Sequence, residues 1–278
     1  MPTQRGDDRR YTGPLGGVIL DWAGTTVDYG CFAPTAVFLE VFRRRGLELT
    51  VEQARGPMGA HKRDHIASIA AMEPVARAWR ERHGRPCGDE DVESMYREFI
   101  PLQLASLADH ADIIPGTLDA VAAFRKRGLK IGTTTGYNSE MMDVLAPEAR
   151  KGGYEPDSIV CPSDVPAGRP QPWMCFQNAI NLQVYPMEAF VKVGDTVPDI
   201  EEGLNASTWT VGVARTGNEM GLTEAEVEAL PADVLKTRLA QAYEKLYAAG
   251  AHYVVDGIGD VPALLDEIEA RLAAGERP

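Results

Sequence analysis

The chain of 278 residues reads as an α/β protein: a doubly wound parallel-sheet core with an inserted all-helical cap domain. Two observations predict this. Short β-rich runs alternate with helical patterns over most of the sequence, as in a parallel sheet covered on both faces. Between the first two of those runs, from about Pro34 to Asp112, the pattern is helical only. The length allows a full hydrophobic core plus one smaller domain.

Residues 1–14 are polar and charged, without the apolar core of a signal peptide, and read as a disordered leader. The core domain then covers residues 15–33 and 113–278, and the cap covers 34–112. Strands are expected at Gly17–Asp21, Lys130–Thr134, Ser158–Cys161, Phe190–Gly194, Trp209–Val213 and His252–Val255. Between them, Leu118–Arg127 reads as a helix closed by Gly128, and Ser139–Leu145 as one opened by a serine cap. Within the insertion, Val37, Phe38, Val41 and Phe42 mark one helix with Gly46 past its end. Thr50 and Gln53 form a capping-box signature for a short second helix. Helices at His61–Met72 and Val75–His83 follow, then a longer one from Asp89 that Pro101 should end or kink. In open parallel sheets, ligands bind beyond the carboxyl ends of the strands, so an insertion leaving from that edge is placed to act as a lid.

The formal charge of −13 argues against nucleic acid or an anionic membrane surface as partner. No apolar run is long enough to span a bilayer. The cysteines Cys31, Cys87, Cys161 and Cys175 show no paired or metal-ligand spacing, as expected of a reduced, cytoplasmic protein. With an acidic chain, an anionic substrate would need a local positive site, and a metal ion is the obvious candidate.

Four motifs sit at predicted strand ends. Asp21 closes the first strand and is followed by Gly24, Thr25 and Thr26; a carboxylate there can form an acyl-phosphate, although an aspartate ending a strand is also an ordinary turn former. Thr133-Thr134-Thr135-Gly136-Tyr137 offers a hydroxyl and loop amides to a phosphoryl oxygen, or is simply β-rich. Gly168-Arg169-Pro170-Gln171-Pro172 restrains a cation just before a helix. In Val193-Gly194-Asp195-Thr196-Val197-Pro198-Asp199, two acids end an apolar strand, where they can serve a Mg²⁺ ion with Asp21 or cap a helix. In the insertion, Lys62 and His65 share one face at a helix start.

Together, and in this order, the motifs resemble the haloacid dehalogenase superfamily, in which the first aspartate is a nucleophile. Most of its phosphatases place a second aspartate two residues later to protonate the leaving group; here that position is Ala23. The strings Asp21–Pro34, Gly56–Ile66, Asp164–Pro170 and Pro172–Cys175 narrow the resemblance to the phosphonoacetaldehyde hydrolase (phosphonatase) family. That resemblance implies hydrolysis of a carbon–phosphorus bond during 2-aminoethylphosphonate degradation. It implies a Schiff base on Lys62, an aspartyl phosphate on Asp21, and a proton shuttle at His65. It assigns Mg²⁺ to Asp21, the Ala23 carbonyl and Asp195, with Asp199 supporting the metal's waters. Phosphonate contacts fall to Thr135, Gly136 and Arg169, and an aldehyde pocket to Met58, Cys31 and Tyr137. Arg63 and Arg169 are possible cations for lowering the Lys62 pKa. A homodimer acting on a small-molecule phosphonate is expected. The alternatives are a C–O phosphatase or phosphomutase, which should have an acid at position 23, and a non-catalytic phosphate sensor, which leaves Asp21, Lys62, Arg169 and Asp195 unexplained.

Overall fold

The computed structural model describes residues 10–278. Six strands, β1 (Gly17–Leu20), β2 (Lys130–Thr134), β3 (Ser158–Val160), β4 (Phe190–Gly194), β5 (Trp209–Val213) and β6 (Tyr253–Val255), form one sheet in the order β3-β2-β1-β4-β5-β6. Every neighbouring pair is parallel, with Leu20 of β1 opposite Thr133 on one side and Val193 on the other. The chain therefore builds one half of the sheet outward from β1, then returns to lay β4 on its other side. The crevice beyond β1 and β4 is the topological switch point, where such sheets bind ligands.

The strands alternate between two buried faces. Val18, Leu20, Val191 and Val193 join the large core on one side, while Ile19 and Phe190 face a smaller cluster on the other. Helices α8 (Trp173–Leu182) and α9 (Val197–Asn205) pack on that second face, against β2 and β3 and against β4 and β5 respectively.

The insertion comprises α1 (Phe32–Arg43), α2 (Val51–Arg55), α3 (Lys62–Ala71), α4 (Glu73–His83) and α5 (Asp89–Leu107). Its exit and return segments lie side by side, since Val27 bridges Ile113 and the Asp28 N–H donates to the Asp112 carbonyl at 3.2 Å. The Thr50–Gln53 capping box forms as expected, with bonds of 2.9 and 3.2 Å. Phe38, Ile66, Trp79, Met95 and Phe99 bury the inner faces of these helices, and their cluster is continuous with the sheet's own core.

Three expectations about helix ends are corrected. Helix α5 runs through Pro101 to Leu107. Proline removes one helical hydrogen bond and crowds the carbonyl four residues back, at about 3 kcal/mol. Here Pro101 lies on the exposed side, while Phe99, Gln103 and Leu107 are buried on either side of it. Packing against α1, α3 and α7 (Ser139–Lys151) outweighs the local penalty. In α7 the same logic carries the helix past Leu145 and through exposed Pro147, because Leu145 and Ala149 are both buried. Its cap is Asn138, not Ser139: the Asn138 side chain accepts from the Met141 N–H at 2.9 Å.

Of the segment read as a leader, residues 1–9 lie outside the described residues. At its end, Tyr11 packs against the main core and Arg10 donates to the Gly275 carbonyl. Helices α6 (Thr117–Lys126), α10 (Glu224–Ala229), α11 (Ala232–Ala248) and α12 (Leu265–Ala273) complete the fold. Among the described residues, no helix is long and apolar enough to cross a membrane.

Phe38 and Phe99 meet at 4.6 Å between ring centroids, both fully buried, and join α1 to α5. Phe99→Ala is expected to cost about 3–5 kcal/mol in urea unfolding; a loss below about 1 kcal/mol would show that this contact does not hold the helical layer together.

Candidate active site

Asp21 follows β1 directly, and its N–H extends the ladder to the Val193 carbonyl at 2.9 Å. Its carboxylate is buried and accepts from Arg169 Nη2 at 2.6 Å. The same guanidinium reaches Asp199 Oδ1 through Nη1 at 2.9 Å and Glu202 Oε2 through Nε at 2.9 Å. Nη2 also donates to Thr134 Oγ1 at 2.7 Å, and that hydroxyl donates on to Glu202 Oε2 at 2.8 Å. Beneath them, Lys192 of β4 lies 2.6 Å from Asp199 and 3.5 Å from Glu202 and is wholly buried. A planar guanidinium with several fixed donors suits this clamp, which a lysine could not reproduce.

Asp195 ends β4 and is also wholly buried. It accepts from Thr25 Oγ1 at 3.0 Å and from the Asn218 N–H at 2.7 Å. Oxygens of Asp21, Asp195 and Asp199 all lie within 4.8 Å of one another. Burial, then repulsion from Asp21 and Asp199, pushes the Asp195 carboxyl well above the usual range. Burial likewise raises Asp21, against the opposing pull of Arg169. For Asp199, burial is outweighed by Arg169 and Lys192, which hold its carboxyl below the usual range.

These directions sort the acids. Asp21, Asp195, Asp199 and Glu202 face two cations, Arg169 and Lys192, which leaves a surplus of two negative charges around Asp21 and Asp195. Buried like charges are tolerated only when neutralised or ion-bound, so this donor set fits a divalent cation with hard oxygen preferences. Asp199 already takes Lys192 and Arg169 on Oδ1 and Thr196 on Oδ2, which makes it an anchor at the edge of the cluster.

A small pocket opens beside Asp21. The sheet side contributes Ala23, Thr135, Gly136, Tyr137, Arg169 and Thr196; Met58, Gly59 and Lys62 close it from the insertion, and Cys31 from the segment leading into it. Gly59 has φ +92°, and a Cβ there would overlap Thr196 Oγ1, so only glycine lets this loop sit so close to the sheet edge. Thr135 Oγ1 accepts from the Tyr137 N–H at 3.1 Å, which leaves its own proton free to donate into the pocket.

Lys62 begins α3 and is 4 % exposed. Its ammonium lies 4.7 Å from the Tyr137 ring centroid, and among the described residues no carboxylate comes within ion-pair distance. Burial lowers its pKa, Arg169 adds to the effect, and Cys31 and Asp21 oppose it. The expectation that Arg63 assists is corrected: Arg63 turns outward to Asp89 at 2.8 Å and Glu93 at 3.2 Å. Cys31 is held by burial well above the ordinary thiol range, so it is an uncharged wall. Tyr137 is buried with its hydroxyl unpartnered, and burial pushes its pKa well up.

His65 lies behind the pocket wall. Its ring stacks on Phe38 at 3.7 Å between centroids, and Nε2 meets the Ala54 carbonyl at 2.8 Å. Burial, reinforced by Lys62, holds its pKa well below the ordinary histidine value. The imidazole is therefore neutral, with the Nε2 proton on Ala54 and Nδ1 unpartnered.

The haloacid dehalogenase-like hydrolase family profile matches residues 15–207. A phosphonoacetaldehyde hydrolase from Syntrophobacter fumaroxidans is 53% identical over 271 residues, 98% of each chain. The chain belongs to the phosphonoacetaldehyde hydrolase family. A second Syntrophobacter fumaroxidans member, a phosphonoacetaldehyde hydrolase-like protein, is 54% identical over 96% of this chain and 97% of its own. The crystal structure of a phosphonoacetaldehyde hydrolase like protein from Oleispira antarctica superposes with a TM-score of 0.94 at 39% identity, covering 97% of this chain and 98% of that one. This family resemblance had pointed to Asp21, Lys62, Arg169 and Asp195, which the fold brings to one crevice. Sequence reading missed Lys192 and Glu202, which hold Arg169 in place, and Asn218, which holds Asp195; Thr134 and Thr25 stood in its motifs without these roles. One signal was available for Lys192: a charged residue in the middle of an otherwise apolar strand expected to be buried on both faces.

Removing the Lys192 ammonium leaves Asp199 and Glu202 buried with one cation between them. Lys192→Met is expected to lose about 3–5 kcal/mol of stability in urea unfolding. A loss below about 1 kcal/mol would show that the ion pairs are not what holds this edge of the site.

Proposed function

We propose that this protein hydrolyses the carbon–phosphorus bond of phosphonoacetaldehyde to acetaldehyde and phosphate, acting after transamination of 2-aminoethylphosphonate. One observation carries the reading: a buried, unpaired lysine of lowered pKa shares a pocket with Asp21, and the leaving-group acid is replaced by Ala23. The names of the relatives support the substrate.

The vacancy at position 23 has a chemical reason. Cleaving a C–P bond expels carbon, not an alkoxide, so a carboxylic acid poised for an oxygen has nothing to protonate. Neutral Lys62 instead attacks the aldehyde and water leaves, giving a protonated imine. Asp21 attacks phosphorus in line; the C–P electron pair becomes a C=C bond while the C=N π pair moves onto nitrogen, leaving an enamine on Lys62 and an aspartyl phosphate. Water hydrolyses the acyl-phosphate and restores the Asp21 carboxylate. Protonation of the enamine at carbon and hydrolysis of the imine release acetaldehyde and free Lys62.

Arg169, Thr135 and the Gly136 amide are assigned to the phosphonate oxygens. Arg169 also fixes the attacking carboxylate, so positioning and charge neutralisation come from one group. Mg²⁺ held by Asp21, Asp195 and the Ala23 carbonyl, with Asp199 behind it, would neutralise the remaining negative charge of the phosphoryl group. His65, neutral, with Nδ1 unpartnered and three residues after Lys62 on α3, is assigned proton transfer to and from that amine. Met58, Cys31 and Tyr137 enclose the two-carbon aldehyde and limit water around the imine. The helices of residues 34–112 act as the cap that carries Lys62 to the core. A homodimer in the cytoplasm completes the reading, and sedimentation at twice the chain mass tests its first part.

Purified protein with Mg²⁺ should release phosphate and acetaldehyde from phosphonoacetaldehyde in equal amounts. Lys62→Ala should lose at least about a thousandfold in kcat, as expected when a covalent nucleophile is removed. Ala23→Asp should gain no phosphomonoesterase activity; a gain would favour a phosphatase that has lost its acid. Only neutral Lys62 forms the imine, and its pKa is lowered. The rate should therefore rise with pH along a limb lying below the ordinary lysine range. A rising limb at the ordinary lysine value would contradict the lowered pKa.

A further inference from the structure

A second buried cation lies at the junction of insertion and core, and the chemistry above does not use it. Arg55 ends α2 and is 8 % exposed, yet among the described residues no carboxylate lies within ion-pair distance of it. Burying a guanidinium without a counter-ion is costly, so its contacts should reveal what it does.

Its side-chain hydrogen bonds all leave the insertion's helices. Nη1 donates to the Gly30 carbonyl at 2.7 Å, in the exit segment before α1. It also lies 3.3 Å from both the backbone carbonyl and the side-chain oxygen of Asn218, in the loop after β5. Asn218 returns the contact, donating through Nδ2 to the Arg55 carbonyl at 3.4 Å. The guanidinium lies over Phe32, 5.1 Å from its ring centroid, while Nε and Nη2 have no acceptor. Gly221, at φ +60°, leaves the room: a Cβ there would press on Nη1 at 3.0 Å.

Asn218 is also the residue whose N–H holds Asp195 Oδ2 at 2.7 Å. One side therefore leads from Asn218 to a carboxylate of the proposed metal site. The other leads through Arg55 to Met58, Gly59 and Lys62, which follow within the next seven residues. We propose that Arg55 is a positioning residue: its clamp on Gly30 and Asn218 makes the seating of the Lys62 segment and the placement of Asp195 one event. The proposal rests on the metal site assigned above.

The test uses the full-length protein and two readouts besides turnover, Mg²⁺ affinity by calorimetry and amide exchange over residues 56–66. Arg55→Met should weaken Mg²⁺ binding about tenfold, as for other groups that orient metal ligands without touching the ion. It should also speed exchange at 56–66 while leaving β1 and β4 protected. Arg55→Lys, which keeps one donor, should recover part of both. Asn218→Ala keeps the backbone N–H to Asp195 but removes the two side-chain contacts with Arg55, so its effect on Mg²⁺ affinity should not add fully to that of Arg55→Met. If Arg55→Met does not fold, Arg55→Lys combined with Asn218→Ala supplies the same cycle. Mg²⁺ affinity within twofold of the unmodified protein in Arg55→Met, or fully additive effects in the cycle, would overturn the proposal. Failure of the unmodified protein to bind Mg²⁺ would sink the metal assignment and the clamp with it. Failure to cleave phosphonoacetaldehyde with Mg²⁺ bound would sink the substrate alone.

Discussion

The hold of Arg169 on Asp21, Asp199 and Glu202 is the interaction on which the rest of the site depends. Three carboxylates from β1 and α9 cannot share a dry crevice unless something positive binds them together. The guanidinium does this with fixed directions, and Lys192 adds a second charge from below. Together these groups fix the Asp21 carboxylate at the switch point of the sheet and leave uncompensated negative charge beside Asp195, where the proposed metal ion belongs. The apolar layers of the sheet supply the dry surroundings that give these charges their strength.

The insertion completes what the sheet begins. Its helices are built on aromatic contacts around Phe38, and one of those contacts is the ring of His65. Packing that makes the helical layer stable thus also buries the first turn of α3, where Lys62 sits. A lysine in that position loses its hydration without gaining a carboxylate, so its neutral form is favoured. Stability and reactivity draw on the same burial.

Much of this was legible in the sequence. Strand positions followed from short β-rich runs and came out to within a residue, because parallel strands covered on both faces must be apolar along their length. Asp21 and Asp195 could be read because each stands just past a strand end, and Arg169 because it stands just before a helix, all beside unusual strings of residues. The helix stops expected at Pro101 and after Leu145 were misread because local propensity says nothing about which side of a helix a proline will face. Arg55 belongs to no motif in the sequence, and its partner Asn218 lies 163 residues away. Glu202 is similar: an acid on an amphipathic helix, recognisable as buried only once the fold brings Arg169 and Lys192 to it.

Ala23 and Lys62 together form the central claim, that a protonated imine acting as electron sink replaces an acid acting on a leaving group. The direct measurement is a peptide map after borohydride is added to the protein during turnover of phosphonoacetaldehyde. A reduced two-carbon adduct on Lys62, accumulating as activity is lost, is the predicted result. Continued turnover in borohydride with Lys62 unmodified would contradict the account, because the C–P bond would then be breaking without the imine.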